Sequence, residues 1–206
     1  MRSAKFLVLS AAAALVACST LKEYPVEQRP LAAVMPFAYS AAQPEFASSA
    51  AGLGEALAGA LLGTGRLRLL ERQRVDALLG EAKLGATGAV DSATAARIGK
   101  QLGAQAVVLG DVVSVSVRDE GRSAVVATKT TRTADVVVEA RLVDVETGEL
   151  MASGRATGSA SSAEKHLLGG TIGAISDPVA LVHKAMQDVA EKLAKDLAKG
   201  VRPRKK

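Results

Sequence analysis

Between Ala134 and Val145 apolar and polar residues alternate, with Val136, Val138, Ala140 and Leu142 set against Asp135, Glu139 and Arg141. Only an extended chain, whose side chains point to opposite faces in turn, sorts such a run into one buried and one wet face. Ala106 to Val117 reads the same way, with Val113, Val115 and Val117 opposed to Ser114 and Ser116. Glu149 to Ser159 returns as a third strand behind the tight Glu146-Thr147-Gly148 turn. Strands of about twelve residues span ~40 Å, against the usual 5–6 residues or so. These are long antiparallel ribbons, and their apolar face needs a cover.

The cover stands at the end of the chain. Asp177 is placed to cap a helix and Pro178 to begin it. Val179, Val182, Met186, Val189, Leu193 and Leu197 fall on one face, and Gly200 stops it. That stripe must be buried, most simply against the sheet.

The first half has a different rhythm. Leu31 to Phe37 is an apolar run of strand length, followed by a loop over residues 38–47 that contains Pro44. A helix then runs from Ser48 or Ser49, either of which suits a cap, to about Leu62; Leu53, Leu57, Ala60 and Leu61 share a face, and Gly63 and Gly65 close it. Arg66 to Leu70 is a second strand. After Glu71-Arg72 comes a helix with Val75, Leu78, Leu79 and Ala82 aligned, then a glycine-containing turn over residues 84–90. Asp91 caps a further helix through Ala95, Ile98 and Leu102, ended by Gly103. This β-α-β-α-α opening makes the first two strands parallel. The fold class is therefore α/β in the mixed α+β sense: one sheet with long antiparallel ribbons, flanked by helices, with an amphipathic C-terminal helix over residues 31–200.

Ahead of this domain lies an export signal. Arg2 and Lys5 form a basic start, and Phe6 to Ala14 an uncharged apolar stretch too short to span a bilayer of ~30 Å. Leu15-Val16-Ala17-Cys18 has the form of a lipobox, in which residues 1–17 are removed and the Cys18 sulfur takes a diacylglycerol. Cys18 is the only cysteine, so no disulfide competes for it. Ser19, rather than Asp, after the cysteine points to the outer membrane, on its periplasmic face. Residues 18–30, with Pro25 and Pro30, read as the lipidated end and a short tether.

Net charge is +5, but Arg2 and Lys5 leave with the signal, and Arg202, Arg204, Lys205 and Lys206 crowd the tail 201–206. The body between is close to neutral, so the basic character belongs to the ends. With two Tyr, three Phe and no Trp, a stacking surface for nucleic acid is excluded.

Chemistry is hard to find. Gly52-Leu53-Gly54 looks briefly like a dinucleotide fingerprint, but the first glycine must lie in the turn leaving the strand, and Phe37 is far upstream. These glycines read as helix-packing residues. His166 and His183 have no metal-ligand spacing, and His183 sits on the terminal helix as a surface residue. No Gly-x-Ser-x-Gly elbow is present. Asp144 and Glu146 belong to a hairpin turn. No catalytic, cofactor-binding or metal-binding residue is assigned, and no cofactor is expected.

Several segments read together resemble the curli-secretion (CsgG/HfaB) family of envelope lipoproteins. They are Leu69-Leu70-Glu71-Arg72-Gln73 with Leu78-Leu79-Gly80-Glu81 and Lys83-Leu84; Ala104 to Gly110; Ala140 to Leu150; and Ser176-Asp177-Pro178-Val179. The resemblance implies a non-catalytic, lipid-anchored protein of the outer membrane that self-associates. Its partners would belong to an envelope secretion or curli-like adhesin assembly system. It also implies two transmembrane hairpins per subunit, and there the sequence departs.

A membrane strand needs about 9–11 residues with every second one apolar. The first candidate, residues 118–132, carries Asp119, Glu120, Arg122, Lys129 and Arg132; the second, residues 154–175, has few bulky residues and a turn expected at Glu164-Lys165-His166. This looks like a short form of the family with reduced hairpins, and self-association without a pore is expected. A second reading is similarity to LpoB-like lipoproteins that bind and activate a peptidoglycan synthase. The tether counts against it, since even fully extended it covers only ~40 Å.

Overall fold

The structure is a computed structural model that describes residues 21–81, 91–168 and 170–204. Two short parallel strands, β1 (Leu31–Val34) and β2 (Ala38–Tyr39), precede helix α1 (Ser49–Gly63) and strand β3 (Arg68–Leu69). Helices α2 (Arg72–Glu81) and α3 (Ser92–Gln101) follow. Then come three long strands, β4 (Ala106–Ala124), β5 (Ala127–Asp144) and β6 (Leu150–Leu167), a short β7 (Gly170–Gly173) and helix α4 (Pro178–Gly200). The sheet order is β3-β1-β4-β5-β6-β7, with β2 also paired to β4. β1 runs parallel to both β3 and β4, and β4 through β7 are antiparallel. The mixed sheet, the parallel opening and the covering C-terminal helix are those expected.

At its base the sheet is buried on both faces. Ala106 and Val108 point to α1 and α4, while Val107 and Leu109 point to α2 and α3. This explains the unbroken apolar run Ala106 to Leu109, the pattern of a strand covered on two sides. Further along, only α4 remains, and the alternation of Val136, Val138, Ala140 and Leu142 takes over; all four are buried under it.

A bulge makes the two halves of β4 agree. Val112 pairs with Val138 and Ser114 with Val137, so Val113 is the extra residue. Without it, Val115 and Val117 would face the wet side, because a one-residue slip inverts every side chain. Val113 therefore does not share the face of Val115, as the alternation alone predicts.

The helices follow their signals. Asp91 Oδ1 accepts from the amides of Ala93 and Thr94, and Asp177 Oδ1 from those of Val179 and Ala180. Ser48 occupies the cap position of α1, but no side-chain bond closes it. On α4 the expected stripe is buried from Val182 to Leu197, whereas Val179, in the first turn, is 46% exposed.

The ribbon is longer than expected. β4 has 19 residues, and β5 and β6 have 18 each, so it extends roughly 60 Å. Both candidate hairpins, which the sequence reads as reduced, form as parts of it. The β6–β7 turn lies beyond Leu167, past the Glu164-Lys165-His166 position predicted for it, because those three residues pair with β7 instead.

Candidate functional site

The candidate site is a set of surfaces on the ribbon. The turn at its base shows how the acidic residues are used. Asp144 Oδ1 accepts from the amides of Glu146 and Thr147 and from the Thr147 hydroxyl, while Gly148 takes φ +72. Asp144 is structural, as its place in a hairpin predicts.

His166 lies near the far end, with Nδ1 2.9 Å from the Thr171 hydroxyl and Nε2 3.0 Å from Glu164. His183 is exposed on α4 beside Gly52, and Gly54 packs against Arg72 and Phe37. The glycines thus serve helix packing. Among the described residues, no three of His, Cys, Asp and Glu gather as metal ligands. Cys18 lies outside the described residues, as does the expected turn at 84–90.

A cleft of about 740 Å³ opens on the wet face beside α3, floored by Asp111, Glu139, Arg141 and Arg155. Asp111 and Glu139 stand directly opposite one another, and Arg155 reaches Glu139 at 2.5 Å. Asp111 Oδ2 accepts from Ser40, while its Oδ1 is buried with no partner among the described residues. With Asp111 and Glu139 beside Arg141 and Arg155, the cleft offers carboxylates and guanidinium groups for charge complementarity.

The edges decide what the ribbon can join. β5 is interior, with β4 on one side and β6 on the other, so it offers no edge. On β4, the side away from β5 is occupied by β1 and β2 only as far as Val112; from Val113 to Ala124 that edge is open among the described residues. The edge of β6 is guarded. Asp188 accepts from the Ser159 amide, and Lys192 donates to the Thr157 carbonyl and to Asp188 itself. The Lys192 bond holds the Asp188 carboxyl below the ordinary aspartate value. Two α4 side chains thus satisfy backbone groups that a neighbouring strand would otherwise take.

The outer half of the ribbon is braced by charge. Arg132 grips Asp119 directly across the strands through two hydrogen bonds of 2.7 Å, and donates a third to the Ser176 carbonyl at 3.2 Å. Arg118 holds Asp135 at 2.5 Å. Neither face of this half is apolar. One presents Asp119, Arg132 and Glu164; the other presents Arg122, Lys129 and Lys165. A lipid-facing barrel strand would need one apolar face.

The segment before β1 is docked. The Tyr24 amide donates to the Gly65 carbonyl, its hydroxyl to the Val201 carbonyl, and Arg66 stacks over its ring at 4.9 Å. The Arg204 amide donates to the Gln28 carbonyl, so the start of the basic tail runs beside it. The stretch expected as a tether therefore lies on the body from Tyr24 onward.

The family model described as curli production assembly/transport component CsgG matches residues 13–205. No curated protein matches the chain. Among solved structures, the chain is similar to the LpoB C-terminal domain from Salmonella enterica, at 20% identity and a TM-score of 0.45, covering 66% of this chain and 87% of that one. It is similar to the PelC dodecamer from Paraburkholderia phytofirmans, at 16% identity and a TM-score of 0.37, covering 89% and 96%. A third is the lipoprotein GNA1162 from Neisseria meningitidis, at 18% identity and a TM-score of 0.44, covering 64% and 83%.

Proposed function

The chain belongs to the CsgG family, and on that premise we propose that it is a non-catalytic lipoprotein of the outer membrane, anchored at Cys18 and facing the periplasm. It works as a homo-oligomer within an envelope secretion or curli-like assembly system. The observation that carries this reading is the ribbon. A sheet extended by roughly 60 Å and braced by Asp119–Arg132 suits a scaffold. The open edge of β4 from Val113 to Ala124 supports self-association, since unpaired backbone groups template a neighbour. The charged faces of both hairpins support assembly without a pore.

Mass measurement on the detergent-extracted protein tests this, alongside conductance across planar bilayers. An oligomer without large conductance is expected. A strict monomer at high concentration would sink the assembly reading and favour an LpoB-like activator of a peptidoglycan synthase. Reproducible large channels would instead restore the hairpins as membrane strands.

A further inference from the structure

Among the described residues, most of the large apolar side chains that the fold leaves in water crowd at one end. Val125, 102% exposed, and Val126 lie at the β4–β5 turn; Leu168, 87% exposed, lies just beyond β6, with Leu167 and Ile172 beside it. Ala127 pairs with Leu167, so the two turns sit side by side as one apolar tip. A patch of this kind on the extremity of a rigid arm marks a contact.

What it contacts is written two register steps below. Arg122, Lys129 and Lys165 pair with one another across three strands, on the same face as Ala124, Ala127 and Leu167. They stand about 7 Å from that apolar row at ~3.3 Å per residue. The acidic residues closest along the strands are engaged elsewhere, Glu120 with Arg118 and Glu164 with His166. Among the described residues the three cations enter no ion pair. An apolar wedge with cations set back by several ångströms matches a bilayer surface, where apolar groups sink roughly 5–10 Å to the acyl boundary and cations meet phosphates. A second copy of the tip is disfavoured, because it would bring two cationic rows together.

We propose that this tip is a lipid-contact site, specific for anionic phospholipid, with Val125, Val126, Leu167 and Leu168 entering the interface and Arg122, Lys129 and Lys165 holding headgroups. It is distinct from the anchor at Cys18 and does not depend on it. Where that anchor operates, residues 18–21 extend at most about 14 Å. They join the body near Tyr24, which is docked by the end of α4, at the sheet's base. A tip at the other end of the ribbon reaches the same bilayer only when the ribbon lies along it, so two attachments would fix the molecule's orientation.

The test is made on the full chain, Val126→Cys, labelled with a polarity-sensitive fluorophore and reconstituted in vesicles. Mass measurement shows whether Cys18 is blocked by lipid; where it is not, the same experiment is run on Cys18→Ser, so the anchor can fail without the tip failing. The expected result is a blue shift in phosphatidylglycerol-containing vesicles, with quenching by shallow lipid-borne quenchers and little shift in phosphatidylcholine. Each cation replaced by Glu should lower partitioning by roughly fivefold or more, and the triple replacement should abolish the shift with the melting temperature retained. An unshifted label in anionic vesicles overturns the proposal. So does a shift that follows protein concentration instead of lipid, or quenching at the bilayer midplane, which would indicate a second copy or a spanning strand.

Discussion

Gly158 of β6 lies against the backbone of Ala185 on α4: a Cβ built on it would overlap the Ala185 carbonyl oxygen and come within 2.8 Å of the Val189 amide nitrogen. Helix and strand can meet this closely only because β6 presents Ala152, Gly154, Ala156, Gly158 and Ala160 on the covered face. The approach lets Asp188 and Lys192 reach the backbone of Ser159 and Thr157. Gly158→Val should therefore push α4 outward. Overpacking costs about 1–3 kcal/mol, and a backbone obstacle places this variant at the upper end. At roughly 2–4 °C per kcal/mol for a chain of this size, the melting temperature should fall by about 6–12 °C. Gly59→Ala on α1, where a Cβ meets nothing within 4 Å, should leave it unchanged or raise it. Equal melts for both variants would contradict the close packing.

The covering role of α4 has a harsher test. Val189 and Leu193 are fully buried between α4 and the ribbon. Val189→Asp or Leu193→Asp places a carboxylate there without a partner, costing several kcal/mol out of a typical 5–15 or so. Circular dichroism melts should show loss or severe reduction of the cooperative transition. Unchanged melts would mean that the helix does not close the core.

These packing contacts were only partly legible in the sequence. The stripe from Val182 to Leu197 and the alternation around Val138 repeat over several turns or pleats, so each residue reinforces the next. The strands exceed their expected length because the sequence signal rests on bulky residues, which their outer parts lack. β6 carries alanine and glycine on its inner face, a small-residue alternation that periodic hydrophobicity underweights. Glu164-Lys165-His166 therefore reads as a turn in the sequence, although it lies within the strand. The distal parts of β4 and β5 escaped because their pairing rests on cross-strand ions such as Asp119–Arg132, which no one-dimensional pattern displays. The bulge at Val113 and the docking of Tyr24 depend on contacts remote in sequence. The apolar tip was visible only as Val125-Val126 and Leu167-Leu168, two pairs that acquire meaning once the turns are adjacent.

Asp119, Asp135 and Asp188 should give the protein an acid-sensitive limb. Their carboxyls are held below the ordinary value, Asp119 chiefly by the Arg132 hydrogen bond, Asp135 by Ser159 with help from Arg118, and Asp188 by Lys192. A carboxyl depressed in the folded state stabilises fully above its unfolded value of about 3.9. That contribution is lost as pH falls through the lower folded value. Denaturant titrations should show stability level above about pH 5 and declining below about 4. Combining Asp119→Asn, Asp135→Asn and Asp188→Asn should flatten the decline; an undiminished slope would place the sensitivity elsewhere. Arg132→Ala alone should speed amide exchange in the outer halves of β4 and β5 and near Ser176, while the base of the sheet stays protected.

The anchor can be separated from the fold because they occupy different parts of the chain. Cys18 precedes every described contact, and the nearest docked residues are held through Lys22, Tyr24 and Arg66. No helix among the described residues is long and apolar enough to cross a membrane. Lipid on Cys18 would therefore supply the stable attachment, and the tip could add only a weaker, salt-sensitive contact. In cells, Cys18→Ser should move the protein from the membrane fraction to the soluble periplasmic fraction after a high-salt wash, with its melting curve unaltered. Wild type should resist the same wash and gain the mass of a lipid at its N-terminus. A wild-type chain found soluble and unlipidated after removal of residues 1–17 would sink the anchor. A Cys18→Ser chain that resists the wash would mean that the ribbon itself holds the membrane far more tightly than a tip contact allows.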